Sequence, residues 1–392
     1  MQCLLHAGDL SAVPNLGFKK SGRLVFNAMA ENYAIDDLPE PDSSDLSAEN
    51  YCHAKRPLGF MLTSRGCPYH CSFCSVQQTF GAEYRRRSAA AVLQEMKRRY
   101  AAGVRVFDFE DDNLSFDRQG FKELLMLLGR ELPADVRLLA MNGMLYHALD
   151  EELLQLMRQA GFRELNLSLV SNEPAVCEAV HRPHDWNKFR HLVGAAHSLG
   201  FRVVAYQILG LPQDTVDGMS KTMAELARLP VLIGASPFYL TPGSPIAACF
   251  PPLSPDDIVR ARLTAMAVET SKFSRDDLYT LFITARIINF IKGLTSAAAD
   301  CRLNLVLTEN AQSGRVKIGC QILDRLLNER RMNGYDGKAF HPLEHFRFET
   351  FAAVWSKAEG TSWAVVWMRM LWSREGGDGF CSGWLVPGSG CS

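Results

Sequence analysis

The stretch Ser64-Arg65-Gly66-Cys67-Pro68-Tyr69-His70-Cys71-Ser72-Phe73-Cys74-Ser75-Val76 carries three cysteines spaced C-x3-C-x2-C. On one tight loop, three thiolates can converge on three corners of a small cube. A [4Fe–4S] cluster ordinarily takes four cysteine ligands. Three, with no fourth in phase, leave one iron open to something that is not protein, and an open iron points to chemistry there. Structural zinc uses four closed ligands, usually two short pairs. Here His70 lies where ring and thiolates would crowd, and no second pair follows nearby. A disulfide leaves one thiol odd. The spacing favours the cluster over zinc and over incidental cysteines.

Outward from this loop the chain alternates. Strand-like runs fall at Phe60–Thr63, Val104–Phe109, Val136–Met141, Glu164–Leu169, Arg202–Ile208 and Leu232–Tyr239. Helical spacing falls at Ser88–Ala102, Asp117–Gly129, Asp150–Ala160, Asn187–Leu199 and Thr215–Leu229, with Ser88 and Thr215 read as N-caps and Gly103 just past the first end. Strands alternating with helices of about 10–15 residues predict βαβ units and a parallel sheet. The fold class is α/β, a partial (β/α)6 TIM-like barrel. Chemistry in parallel barrels sits at the C-terminal ends of the strands.

Composition bounds the rest. The 392 residues suffice for one large barrel and an extension, and a net charge of −1 with 22% charged residues advertises neither nucleic-acid nor membrane-surface binding. Met1–His6 lacks a basic-then-apolar export pattern, and no apolar run approaches the ~20 residues that span a bilayer. Eleven cysteines without an export signal read as reduced thiols and metal ligands, so a cytoplasmic location is expected.

Cys67-Pro-Tyr-His-Cys71-Ser-Phe-Cys74 resembles the signature of the radical S-adenosylmethionine (SAM) superfamily, including Phe73 just before the third cysteine. Thr63–Cys67, Tyr84–Ser88, Phe109–Asn113 and Leu209–Pro212 follow in the order of the branch that usually carries a cobalamin-binding domain. The resemblance runs from about Ala7 to about Ile246. It implies that Cys67, Cys71 and Cys74 hold a [4Fe–4S] cluster whose open iron binds SAM. An electron then splits SAM into methionine and a 5′-deoxyadenosyl radical. The protein supplies orientation, redox tuning and exclusion of water. Hydrogen bonds to sulfur and burial set cluster potentials, tasks for which the loop N–H groups, Tyr69 and Phe73 are candidates. The expected partners are a small organic substrate and an electron donor such as a flavodoxin or ferredoxin.

Further site residues follow by position. One of Glu110, Asp111 and Asp112 is expected to accept from the SAM ammonium; three adjacent carboxylates repel unless a cation or donors lie beside them. Asp112-Asn113 can equally face the substrate. Relatives often read G-x-E-S on the fourth strand, whereas this chain has Ser168-Leu-Val-Ser171, so ribose contact falls to Ser168, Ser171 or Asn166. Arg182 falls where many relatives place an arginine against the SAM carboxylate, a bidentate task suited to guanidinium; the other reading is a surface arginine at a helix end. His181 and His184 read as loop residues. Arg85, Arg86 and Arg87 either neutralise the cluster or the SAM carboxylate, or form a basic first turn. Ile208 and Gly210 lie on the apolar edge where relatives pack adenine, and Pro242–Pro245 reads as a turn near the substrate mouth.

The chain divides into 1–54, which resembles the linker that follows a cobalamin domain in relatives, a barrel at 55–250, and a mainly helical extension with a loose tail at 251–392. With no D-x-H-x-x-G loop and fewer than 55 residues ahead of the barrel, the chain alone is not expected to hold cobalamin. Such a domain is absent by nature, supplied by another chain, or missing from the gene. Beyond Pro251, helices are expected from Ser254 to about Thr270 and over Asp276–Lys292. Trp363, Trp367, Met370 and Trp372 form an aromatic stripe, Gly376–Ser392 is Gly-rich, and Cys301, Cys320, Cys381 and Cys391 match no tight motif. Two functions from different classes stand: SAM cleavage acting on an organic substrate, with cobalamin-dependent methyl transfer as its variant, and an idle iron–sulfur barrel serving electron transfer or binding.

Overall fold

A computed structural model describes residues 9–28, 35–42, 50–252, 254–256, 268–294 and 314–358. Most of the helix expected after Ser254, Cys301, the Trp363–Trp372 stripe and the tail with Cys381 and Cys391 lie outside these residues.

Six parallel strands follow one another in chain order: β1 Arg56–Met61, β2 Val106–Phe109, β3 Arg137–Leu139, β4 Glu164–Val170, β5 Arg202–Leu209 and β6 Val231–Pro237. Leu58 pairs with Val106 and Val106 with Arg137, while Val203 pairs with Leu165 and Val231. Between β3 and β4 the sheet parts. Among the described residues only the bridges Leu138–Phe162 and Met144–Leu167 close that seam. Among the described residues β1 and β6 do not pair, so the barrel is open at one side.

Among the described residues, five helices of ten or more residues return the chain from strand to strand: α1 Ala89–Ala101, α2 Arg118–Glu131, α3 Glu151–Ala160, α4 Trp186–Ser198 and α5 Val216–Ala227. Each starts where a short polar side chain accepts from an otherwise orphaned N–H of the first turn. The caps are Ser88, Asp117, Asp150, Asp185 and Thr215. Alternation along each strand then sorts the faces. Phe107, Phe109, Leu138, Leu167, Ala205 and Ile233 pack against the helices. Asp108, Glu110, Asn166, Ser168, Tyr206 and Ile208 alternate with them and face the barrel interior.

Every strand differs from the sequence reading by a residue or more at one end or both, and two of these shifts have a local cause. β1 ends at Met61 rather than Thr63, because Asp111 captures Thr63 and Ser64. β3 is shorter than Val136–Met141, because the chain turns inward where Met141 N donates to Asp108 Oδ1 at 2.9 Å.

The extension supplies α6 Arg275–Lys292, α7 Gly314–Glu329 and α8 Phe348–Ala358. α6 belongs to two cores: Leu278, Leu281 and Ile288 pack on the barrel, while Ile287 and Ile291 join Leu323, Leu326 and Phe351 of α7 and α8. Buried Lys292 donates to the carbonyls of Leu226, Leu229 and Val231, and desolvation pushes its ammonium down to about 7. Among the described residues no helix is long and apolar enough to cross a membrane.

Candidate functional site

The cysteine loop hangs from three sides at the C-terminal ends of the strands. On the β2 side, Asp111 accepts from Thr63 N at 3.2 Å, from Thr63 Oγ1 at 2.7 Å and from Ser64 Oγ. Burial pushes its carboxyl up to about 6 even against these donors. Asp112 Oδ2 accepts from Gly66 N at 2.8 Å. Gly66 has φ +84°, and an added Cβ would lie 2.1 Å from Glu83 O, so only glycine fits. On the β4 side, Ser72 N donates to Val180 O at 3.1 Å. From beyond β6, Ile246 N donates to Ser72 O at 2.8 Å.

Cys67, Cys71 and Cys74 are free thiols, Cys71 buried and the others partly so. Asn113 Nδ2 lies 3.6 Å from Cys67 Sγ, and Arg182 Nη1 3.8 Å from Cys71 Sγ. Burial pushes the Cys74 thiol up, while the Val76 N–H bonded to it pulls the other way. Arg182 Nη2 donates to Ser168 O at 3.1 Å, and Nε is buried without an acceptor among the described residues. Three thiols on one loop, met by an amide donor and by a guanidinium with an orphaned N–H, fit an electron-rich iron–sulfur centre. Among the described residues no three His, Cys, Asp or Glu side chains are grouped as a metal site. His70 turns outward to Gln77 at 3.1 Å, and Gln77 Nε2 braces the loop at Tyr69 O at 2.9 Å. Gln77 carried no signal in the sequence, because its partners are carbonyls.

Several candidates have other work. Arg85 and Arg86 lie in a two-residue strand paired with Ser64-Arg65, so the arginine run is not a basic first helical turn. Arg85 Nη2 donates to Phe80 O at 3.1 Å, and Arg86 pairs with Asp117 at 2.8 Å. Arg87 pairs with buried Glu95 at 2.6 Å, a carboxylate that Arg99 also meets at 2.6 Å. Ser171 is buried, its Oγ accepting from Glu173 N at 3.2 Å. Asn166 is buried between Glu164 and Tyr206. Ser168 is the half-buried one of the three proposed ribose contacts. Gly210, with φ +88°, is a close-approach glycine, but what approaches it is Leu278 of α6, 2.8 Å from an added Cβ. Its N–H and that of Leu211 donate to Asp214, whose carboxyl burial pushes up to about 7. His184 Nε2 meets Asn172 Oδ1 at 3.1 Å, as a loop residue would.

Val170 ends β4 with φ +76°, a conformation a β-branched side chain rarely adopts. The β4–β5 register slips here, Tyr206 facing Ser168 and Gln207 facing Val170. The side chain enters an apolar shelf with Val176, Leu211, Phe238 and Ile246, against which Phe73 and Ile208 pack. Inside the barrel stands Asp108, which no motif of the sequence singles out. Burial beside Glu110 pushes its carboxyl up to about 7. Next to the loop, Tyr69, Phe116, Arg118, His147 and Lys188 line a cavity of about 420 Å³. Desolvation pushes His147 down to about 4.

An open parallel barrel with three loop thiols at its C-terminal mouth is the arrangement that the resemblance to the radical SAM superfamily implies. Residues 61–226 match the Radical SAM superfamily model, and this segment is a radical SAM domain. The chain is 30% identical over 189 residues to cytidylyl-2-hydroxyethylphosphonate methyltransferase of Streptomyces wedmorensis, covering 45% of this chain and 35% of that protein. It is 31% identical over 186 residues to hopanoid C-2 methylase of Rhodopseudomonas palustris, covering 46% and 35%. The chain thus spans about a third of the length of these relatives. Its fold is that of the radical SAM methyltransferase TsrM from Kitasatospora setae, at 20% identity and TM-score 0.53, covering 62% and 50%. It is also that of the cobalamin-dependent radical SAM enzyme OxsB, at 12% identity and TM-score 0.56, covering 83% and 55%.

Proposed function

We propose that this chain is a radical SAM enzyme acting on a small organic substrate, with Cys67, Cys71 and Cys74 as cluster ligands. The observation that carries this reading is the loop itself: three free thiols held from three sides of the barrel mouth, with N–H donors aimed at their sulfurs. A [4Fe–4S] cluster there supplies the electron that cleaves SAM reductively.

The chain's own residues do the rest. Asp111 spends both oxygens on Thr63 and Ser64, so it positions the loop. Glu110 and Asp112 remain as acceptors for the SAM ammonium, Glu110 half-buried on the interior face and Asp112 beside Gly66. Ser168 is the ribose contact, and the shelf of Val170, Ile208 and Phe73 packs the adenine and keeps water out. With a hydrocarbon at position 170, the ribose is held by fewer hydrogen bonds than where a glutamate stands. The electron comes from a flavodoxin or ferredoxin type of donor.

Protein reconstituted anaerobically with iron and sulfide, then given SAM and dithionite, is expected to release 5′-deoxyadenosine, and the Cys71→Ala variant to release none. A brown, cluster-loaded protein that leaves SAM intact is the idle barrel instead.

Methyl transfer is the second reading, favoured by the names of the relatives at 30% and 31% identity. It needs cobalamin on this polypeptide or a partner. Stoichiometric binding of hydroxocobalamin in gel filtration would make it the leading one.

A further inference from the structure

We infer that Asn113 and Arg182 set the potential at which the cluster takes up its electron, by donating hydrogen bonds to two of its three thiolates. The inference rests on the reading of Cys67, Cys71 and Cys74 as cluster ligands. Asn113 follows the end of β2 and is buried. Its backbone carbonyl is engaged by Phe116 N at 3.2 Å, which fixes the residue's place, and its side-chain Nδ2 reaches Cys67 Sγ at 3.6 Å. Arg182 comes from the opposite side, after β4. Its backbone N–H is tied to Cys177 O at 2.8 Å and its Nη2 to Ser168 O at 3.1 Å. A guanidinium anchored at one nitrogen presents the other, Nη1, to Cys71 Sγ at 3.8 Å. The third thiol, Cys74, has a backbone N–H from Val76, which no side-chain replacement removes.

Electron uptake adds negative charge that spreads over the cluster and its thiolate sulfurs. An N–H aimed at sulfur therefore stabilises the reduced state more than the oxidised one and raises the potential. Burial strengthens the effect, because less water competes for the same sulfur. The sequence alone points Asn113 toward the substrate side and Arg182 toward the SAM carboxylate; the two sulfur contacts arise only in the fold. Arg182 lies in a loop that its neighbours hold against the cysteines, since Val180 O accepts from Ser72 N at 3.1 Å and His181 O lies 3.8 Å from Cys71 Sγ.

The test is a potentiometric titration of the reconstituted full-length chain without SAM, followed by EPR, with iron and sulfide counted in every sample. Asn113→Leu and Arg182→Met are expected to keep wild-type iron and sulfide and to titrate at a more negative midpoint. Arg182→Lys is expected to fall between Arg182→Met and wild type. An unchanged midpoint overturns the inference, as does loss of the cluster from Asn113→Leu, which would make its amide a structural brace. If Arg182→Met alters only the spectral change on adding SAM, the arginine belongs to SAM and its half of the inference falls. Should Cys71→Ala keep its iron, the ligand reading itself fails, a separate result.

Discussion

The side-chain amide of Asn289 pairs with both backbone groups of Ile233, Oδ1 accepting from N at 2.8 Å and Nδ2 donating to O at 2.9 Å. Ile233 lies in the edge strand β6, whose outward-facing polar groups would otherwise be a template for another chain. One amide on α6 thus stands where a seventh strand would bond, and the extension becomes part of the barrel wall.

Asn289→Ala leaves an N–H and a C=O of buried Ile233 without these partners. It is expected to cost about 2–6 kcal/mol, since each unsatisfied buried group costs ~1–3 kcal/mol. Urea unfolding measures it. A loss under ~0.5 kcal/mol would show that water replaces the amide and that the edge is not sealed.

Val170 offers a test of backbone strain. Val170→Ala removes two methyl groups from the shelf and keeps a side chain at φ +76°. Val170→Gly removes slightly more but frees the backbone, worth about 1 kcal/mol or more in this region. The glycine variant is expected to unfold at higher denaturant than the alanine variant. The reverse order would mean that packing alone decides the position.

Asp214 makes stability pH-dependent. Burial raises its folded-state pKa from 3.8 to about 7, against the Leu211 and Gly210 N–H groups. The folded state therefore binds more protons than the unfolded one between these values. The stability it contributes is complete below about 4 and is lost as pH rises through about 7. Asp214→Asn keeps an acceptor for both N–H groups and cannot titrate. Urea midpoints at several pH values between these limits are expected to fall less steeply in the variant, and equal slopes would rule the assignment out.

Asp111 and Glu110 are expected to separate loop from ligand. Asp111→Ala strips the acceptor from Thr63 and Ser64 and should lower iron content before any SAM is added. Glu110→Gln should keep the iron and weaken the EPR change that SAM induces, by the ~1.5–3 kcal/mol of a charged hydrogen bond. A cluster-loaded Asp111→Ala protein with a lost SAM response would return the ammonium to Asp111.

Local chemistry was legible and distant partners were not. Ser88 and Thr215 could be read as caps because a cap bonds within its own first turn, Ser88 with Ala91 and Thr215 with Gly218. Strand faces followed from a two-residue period, and the three cysteines lie within eight residues of one another. What the tertiary structure decided depends on residues far apart in the chain. Asp111 and Thr63 are 48 residues apart, Asn289 and Ile233 56, and Arg182 and Cys71 111. Residue type alone says that a carboxylate will find donors, a glycine a close neighbour and an arginine an electron-rich atom. Which donor, neighbour or atom is set by the crossing of the strands, and that put Leu278 against Gly210 and sulfur beside Arg182.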